Sequence, residues 1–390
     1  MNLRLFNPSC EMEVANGCCY YNPPKFPLLL ESDLGVLPMY FSNTNDYLLV
    51  DNLPEIDNFL KNFYNTKFIL KNNIDKIADK QFDKFLPWGI SPRAFNFINK
   101  IKKNFSNDFL QSPIGNYSEE KHKKLFSRDL SSEVLKKFIS QYGNSFFPTL
   151  DQLPQKLFDT RSALELFNIK FDTGNGVVFK APMSSSGRGI QMFRKREIDD
   201  NFKNWLKYIF RTQGFVMCET LFDKKDDFSL HFKIENSIPK FIGVSIFKTS
   251  NNGFYIGSVA KKFNNIPDFS VEFTLNLVEN IKKVLCESNF CKNYSGFLGI
   301  DGITYYESGN IKINPFVEIN CRHSMGLLAM MLEKFSLLEN PASFLIIQQS
   351  DFQKYIPITA DISTDGKILS GFLQLSDKKS KYFKAGLYVE

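Results

Sequence analysis

Three oxygen-bearing side chains stand at spacings that suit a hard divalent cation. Asp301 lies within Gly299-Ile300-Asp301-Gly302, and Glu318 and Asn320 lie within Phe316-Val317-Glu318-Ile319-Asn320. Residues two apart on a strand leave the same face of a sheet, so Glu318 and Asn320 project together. The turn Glu307-Ser308-Gly309-Asn310 between the two stretches predicts a hairpin, across which Asp301 can share that face. Two carboxylates and an amide oxygen are ligands that Mg2+ accepts, with phosphate oxygens and water completing its shell. Without a cation the acid pair is costly, because like charges at close range resist joint ionisation. The apolar neighbours Ile300, Phe316, Val317 and Ile319 argue for a covered sheet.

Arg322 and His323 follow in Cys321-Arg322-His323-Ser324-Met325-Gly326. The planar fork of Arg322 suits a transferring phosphoryl group or a substrate carboxylate. A lone histidine after a strand is more often structural than catalytic, and His122 and His231 read as structural or surface groups. Upstream, Val177-Val178-Phe179-Lys180-Ala181-Pro182 is a strand with one lysine at its end. It runs into the small-residue loop Ser184-Ser185-Ser186-Gly187-Arg188-Gly189. Small residues let backbone N–H groups approach phosphate oxygens, while Lys180 adds a point charge. No GK[ST] follows, so this is not a Walker A loop, and the plain alternative is a hairpin turn with a solvated lysine.

Residues 214–219 form an apolar strand ending in Glu219, followed by Thr220-Leu221-Phe222. A strand leaving its core offers backbone groups to an adenine edge, and an acid there can accept from the adenine amino group. Asp226 and Asp227 open the next strand, where an acid can bind ribose hydroxyls. Taken singly, each of these acids reads equally well as a solvated turn residue.

The elements that must position these groups change character along the chain. Short strands at residues 3–6, 47–50 and 67–70 alternate with helical stretches at 55–64 and 92–103, which predicts a small α/β domain over residues 1–110. Residues 106–117 lack periodicity, carry Pro and Gly, and read as a linker. Residues 118–142 have helical spacing, with Leu125, Leu130, Val134, Leu135 and Phe138 apolar, and 162–167 is a further short helix. From Gly176 onward the texture is β-rich. Strands are expected at 177–181, 189–193, 214–219, 228–234, 241–247 and 254–258, then a helix at 275–286 and the hairpin 299–306/312–319. A last helix at 327–333 and a polar tail close the chain.

Composition bounds the remaining choices. The chain is 43% hydrophobic and 23% charged, with a formal net charge of +6 spread among acids rather than clustered. That argues against a nucleic-acid partner. The seven cysteines form no CxxC pair, so reduced thiols are the expected state, and the dispersed histidines make no zinc site. No leader is expected at the start and no apolar run reaches membrane-spanning length, so a cytoplasmic protein without a membrane partner is expected.

The order Lys180, Ser/Gly loop, Glu219, Asp301, Glu318, Asn320 resembles the ATP-grasp superfamily, and Glu318-Ile319-Asn320-Cys321-Arg322 is similar to its E-I-N-x-R signature. More narrowly, Phe179-Lys180-Ala181-Pro182 through Gly189, Phe222-Asp223-Lys224, Gly299-Ile300-Asp301, Pro87-Trp88-Gly89 and Leu5-Phe6-Asn7-Pro8 resemble an ATP-grasp ligase group common in Bacteroidetes. The likeness is good from about residue 118 to 335 and loose before that.

The resemblance implies an α+β fold of two lobes clamping ATP, within residues 118–390, behind an N-terminal α/β pre-ATP-grasp domain. The smaller, nucleotide-clamping lobe would span about 150–218 and the metal-binding lobe about 219–390. It implies Lys180 on the α/β-phosphates, Ser184, Ser185, Ser186, Gly187, Arg188 and Gly189 closing over the β/γ end, and Glu219, Thr220, Leu221 and Phe222 at adenine. Asp227 would hold the ribose, and Asp301, Glu318 and Asn320 would ligate magnesium, as two ions with Mn2+ as a substitute. A second phosphate-binding cation, usually Lys on an upstream helix, corresponds here to Arg128, and Cys321-Arg322-His323-Ser324-Met325-Gly326 stands where the family often has Thr-Arg-Pro-Gly.

The implied reaction is carboxylate–amine ligation through an acylphosphate, releasing ADP and phosphate, with Lys180 and Arg322 as the catalytic cations. The substrates would be small carboxylates and amines, an amino acid or peptide among them. Asn7, Glu11, Glu13, Trp88, Arg93 and His323 are candidates for their pocket, although Asn7 and Glu11 can equally cap a helix and Trp88 can equally be core. A homodimer is the default assembly. The alternatives are a phosphotransferase on the same fold, a nucleotide-binding protein without turnover, and an interaction module without nucleotide.

Overall fold

The computed structural model describes residues 1–43, 45–77, 79–112, 114–173, 176–184, 189–250, 255–288 and 290–390. They fall into two compact units: Met1–His122 with Ile256–Lys262 and Arg322–Glu390, and Lys123–Tyr255 with Phe263–Cys321. The sequence boundaries group the chain differently, since they assign everything after residue 118 to one domain.

In the first unit, four parallel strands lie in the order Lys67–Leu70, Tyr47–Val50, Asn2–Leu5, Lys84–Pro87. The chain builds outward from Asn2–Leu5 on one side and returns to its other side with Lys84–Pro87. The crevice beyond the carboxyl ends of those two strands is therefore a topological switch point, where open α/β sheets expose groups from two loops at once. The segment read as a linker is part of this unit: Asn107–Gln111 is a helix, and Phe109 packs buried against Phe105 at 4.9 Å between ring centroids.

The expected polar tail is also structured. Ser343–Gln348, Ile368–Gln374 and Phe383–Val389 form antiparallel strands. Phe383, Ala385, Leu387 and Val389 are buried at every second position and join a core containing Leu48, Trp88 and Leu328. Lys384 and Gly386 between them are buried as well, so this strand is covered on both faces, and those two residues interrupted the apolar run that marks such a strand.

The second unit holds two antiparallel arrays. The smaller runs Gln155–Leu157, Val216–Thr220, Val177–Lys180, Ile190–Phe193. The helices Thr160–Thr173 and Asp200–Gln213 cover one of its faces, burying Ala163, Phe167, Phe202 and Leu206 with Val177, Phe179, Val216 and Cys218. The larger array runs Asn310–Asn320, Gly296–Glu307, Asp223–Glu235, Ile238–Thr249.

Residues 118–142 are two helices, Glu119–Phe126 and Arg128–Tyr142, not one. Ser127 breaks them: its hydroxyl accepts from the Asp129 amide at 3.2 Å and caps the second helix. The second helix packs on Asn310–Asn320 through Phe138 and Phe316, 5.7 Å apart, and Ser131 Oγ accepts from the Ile319 amide at 3.0 Å. Among the described residues no helix is long and apolar enough to cross a membrane.

Candidate active site

The hairpin register decides how the carboxylates meet. Asp301 stands directly opposite Glu318, and Gly299 opposite Asn320. Opposed residues and residues two apart share a face, so Asp301, Glu318 and Asn320 leave one side of the sheet together. Asn320 Nδ2 donates to Asp301 Oδ2 at 2.8 Å. Beyond Asp301 the register jumps to Ile303 opposite Asn314, a bulge that sets Gly302 against three residues of the partner strand. A Cβ on Gly302 would lie 2.3 Å from the Phe228 ring, so only glycine fits at this crossing.

The same face continues across the sheet. Ser229 is opposite Asp301, His231 opposite Gly299, and Ser245 opposite Ser229. All three are buried, His231 Nε2 lies 2.8 Å from Ser245 Oγ, and Ser229 Oγ has no hydrogen-bond partner among the described residues. Burial lowers the His231 pKa to about 3, so the ring is neutral. The other face carries Leu230, Phe232, Leu298 and Ile300, all buried apolar. The sequence reading of His231 as structural or surface resolves to the structural alternative; its period-two spacing from Asp227 and Ser229 was the signal that it shares their face.

Lys180 ends its strand and forms an ion pair with Glu219 on the neighbouring strand. Glu219 is followed by buried Thr220 and Leu221, whose amide donates to Gly176 O at 3.0 Å. The Phe222 ring lies 4.3 Å from that of Tyr305. The helix Thr160–Thr173 adds a residue that sequence reading missed. Lys170 Nζ donates to Asp151 O at 2.8 Å and lies 3.5 Å from Thr220 Oγ1. Desolvation lowers its pKa. Its spacing with Leu166 and Phe167 on the apolar stripe was the sign that this lysine is buried.

Asp227 is not a solvated turn residue: its Oδ2 accepts from Lys224 Nζ at 2.6 Å and Thr249 Oγ1 at 2.7 Å. Of the small-residue loop, Ser185, Ser186, Gly187 and Arg188 lie outside the described residues. Its two ends close on each other, with the Ala181 amide donating to Gly189 O at 2.8 Å. A Cβ on Gly189 would stand 2.5 Å from Ser184 Cβ, so glycine permits this closure.

Arg128 joins the two arrays. Its Nη1 donates to Ala181 O and Ser184 Oγ, each at 2.7 Å, and its Nη2 lies 2.9 Å from Glu318 Oε1. Lys180's strand end, the start of the loop and the carboxylate face are thereby tied through one guanidinium.

The donor set fits a hard cation that brings further ligands with it. Among the described residues no group of three or more His, Cys, Asp or Glu is arranged to hold a metal by itself. Two carboxylates and one amide leave coordination positions for phosphate oxygens and water, as Mg2+ at nucleotide sites requires.

The remaining candidates gather in the first unit, at its switch point. Asn7 caps no helix: its Nδ2 donates to Gly89 O at 2.8 Å and its Oδ1 accepts from the Gly89 amide at 3.2 Å. Arg322 Nε donates to Glu11 Oε1 at 2.8 Å. Buried Glu13 accepts from Ser9 Oγ at 2.7 Å and from Ser91 Oγ, and Arg93 pairs with both Glu13 and Glu31. Burial raises the Glu13 pKa, with Arg93 opposing the shift. Trp88 is core, stacked edge-on to Phe6 at 5.0 Å. The His323 amide donates to Trp88 O at 2.8 Å, and burial lowers the His323 pKa to about 4.

No protein-family model matches the sequence, and no curated protein matches it. Solved structures do. The chain is similar over its whole length to the biotin carboxylase domain of 2-oxoglutarate carboxylase from Hydrogenobacter thermophilus, a complex with MgADP, ADP and bicarbonate. The identity is 13%, the TM-score 0.54, and 85% of that chain is covered. It is likewise similar to Campylobacter jejuni biotin carboxylase in complex with β-γ-ATP, at 10% identity and a TM-score of 0.53, with 100% of this chain and 87% of that chain covered. Rhizobium etli pyruvate carboxylase gives 10% identity and a TM-score of 0.58 over 100% of this chain and 36% of its own. The chain has the ATP-grasp fold.

Proposed function

We propose that this protein is an ATP-dependent carboxylate–amine ligase of the ATP-grasp type, binding Mg-ATP in its second unit. The observation that carries the reading is the convergence of Asp301, Glu318 and Asn320 on one sheet face, tied by Arg128 to the loop that follows Lys180. Hard oxygen ligands facing a lysine-headed small-residue loop are what a metal–triphosphate needs on its two sides. Mg2+, when bound, supplies charge neutralisation of the transferring phosphoryl group.

The chain's own residues do the rest. Lys180 and Arg128 hold phosphate oxygens, and the loop from Ser184 to Gly189 excludes water from the reacting carboxylate. Glu219 and the strand exit through Thr220, Leu221 and Phe222 hold the adenine edge, and Asp227 the ribose. Arg322 orients the substrate carboxylate, with Glu11 fixing the guanidinium from the other side. The carboxylate oxygen attacks the γ-phosphorus and ADP leaves, giving an acylphosphate. The amine nitrogen then attacks the acyl carbon, phosphate departs, and the nitrogen loses its proton to form the amide. The cluster of Asn7, Glu11, Glu13, Arg93 and Arg322 at the switch point of the first unit supports assigning the small carboxylate and amine substrates there. The narrower likeness to Bacteroidetes ATP-grasp ligases belongs to the same proposal.

A phosphate-release screen with Mg-ATP over amino-acid and peptide pairs tests it, with the product identified by mass. Phosphate and ADP released with an amide product are expected. A phosphorylated end product would assign the fold to phosphotransfer instead. Absence of any stabilisation of the folded chain by Mg-ADP would remove the nucleotide reading altogether.

A further inference from the structure

Building on the metal–nucleotide reading of the second unit, we propose that Arg128 is an internal counter-ion that occupies Glu318 until nucleotide arrives, so that the site takes a divalent cation with nucleotide and resists the bare metal. Arg128 Nη2 stands 2.9 Å from Glu318 Oε1, on the carboxylate that must turn to the ion. A guanidinium and a divalent cation cannot share that oxygen at close range without mutual repulsion, so metal entry requires the fork to leave.

The fork has somewhere to go. Nη1 is tethered to Ala181 O and Ser184 Oγ, and the Arg128 amide donates to Pro182 O at 2.9 Å, so the residue stays anchored at the phosphate loop whether or not Glu318 holds it. Arg128 is only 6% exposed, and its Nε is buried without a hydrogen-bond partner among the described residues. Nε and Nη2 lie on one edge of the guanidinium, and Glu318 engages only the Nη2 side. A phosphate oxygen pair accepts from both donors of that edge. Moving the edge from Glu318 to phosphate satisfies the orphan donor and releases the carboxylate in one displacement. Nucleotide and metal then promote each other's binding through the protein, and by reciprocity the coupling is equal in both directions.

The test titrates Mn2+ into the nucleotide-free full chain, comparing wild type with Arg128→Gln and Arg128→Lys, and measures Mg-ADP binding in parallel. The expected result is Mn2+ affinity at least about tenfold higher for Arg128→Gln, near the wild-type value for Arg128→Lys, and weaker Mg-ADP binding by Arg128→Gln. Equal Mn2+ affinity in Arg128→Gln and wild type overturns the proposal, and so does an equal gain in both variants, which would mark simple loosening. In either case Mg-ADP binding by wild type leaves the nucleotide reading standing, whereas wild type that binds no Mg-ADP defeats both. Should Arg128→Gln fail to fold, sulfate added to wild type replaces it. By drawing Arg128 off Glu318, sulfate raises Mn2+ affinity, and no change on adding sulfate overturns the proposal.

Discussion

Lys180 and Glu219 neutralise each other across two adjacent antiparallel strands, with Lys180 in register with Met217 and Glu219 with Val178. Their side chains are 8% and 12% exposed. Two groups proposed to hold opposite ends of a nucleotide are thus each other's counter-ion. A buried pair tolerates removal of both partners better than removal of one, because a single deletion strands a charge.

Lys180→Met should therefore destabilise the folded chain by about 3 kcal/mol, and Lys180→Met with Glu219→Leu should recover most of that loss. Urea unfolding of the two variants measures both. Mg-ADP should raise the melting temperature of wild type and leave Lys180→Met unmoved. A single variant as stable as wild type would show that the pair is solvated.

Glu318→Gln and Asn320→Ala should each lower turnover by about a hundredfold or more while circular dichroism stays native. Full activity in folded Glu318→Gln would reject the metal assignment. Glutamine is the informative replacement because it retains an acceptor for Arg128, whereas alanine leaves that guanidinium buried alone.

Acid sensitivity follows from the two neutral histidines. Burial depresses the pKa of His231 to about 3 and of His323 to about 4, below the unfolded value near 6.5. Between those limits the unfolded chain binds more protons, so stability is full above about pH 6.5 and falls as pH drops. Each histidine should account for about 2 kcal/mol lost between pH 7 and pH 5. Glu13, with its raised pKa, works in the opposite sense, contributing stability at low pH that is lost as pH rises. Denaturant melts of His231→Gln at both pH values should show a correspondingly smaller acid loss. An unchanged slope would mean that the ring is charged or exposed.

Gly189→Ala should push residue 189 away from Ser184 and Ala181, because the new Cβ would stand 2.5 Å from Ser184 Cβ and 3.0 Å from Ala181 Cβ. An overpacking cost of about 1–2 kcal/mol is expected, together with a KM for ATP raised about tenfold and acceptor KM values near wild type. Equal rises in all KM values would point to a general loss of structure instead.

The carboxylate face was legible because a strand has period two. Glu318 and Asn320 fall on one side whatever the surroundings, and the turn at 307–310 brings Asp301 opposite Glu318. Lys180 at a strand end before small residues was legible for the same local reason. The strands between 343 and 389 were not, because they are buried by residues such as Leu48 and Trp88 that lie far away in sequence. His231 read as structural or surface, and Lys170 was not singled out; their helix and strand spacing hinted at burial, but which distant element seals each is set by packing.

By itself, the sequence determined the polar and apolar order along the carboxylate hairpin, the turn at Gly309, and hence which of its side chains share a face. These are properties of bonded neighbours and backbone periodicity. Only the tertiary structure decided which charges meet. Arg128 and Glu318 are 190 residues apart, and Glu11 and Arg322 are 311 apart. Their pairing depends on how separate elements pack, and burial at the packed positions then fixes whether each charge is shared, neutral or held in reserve.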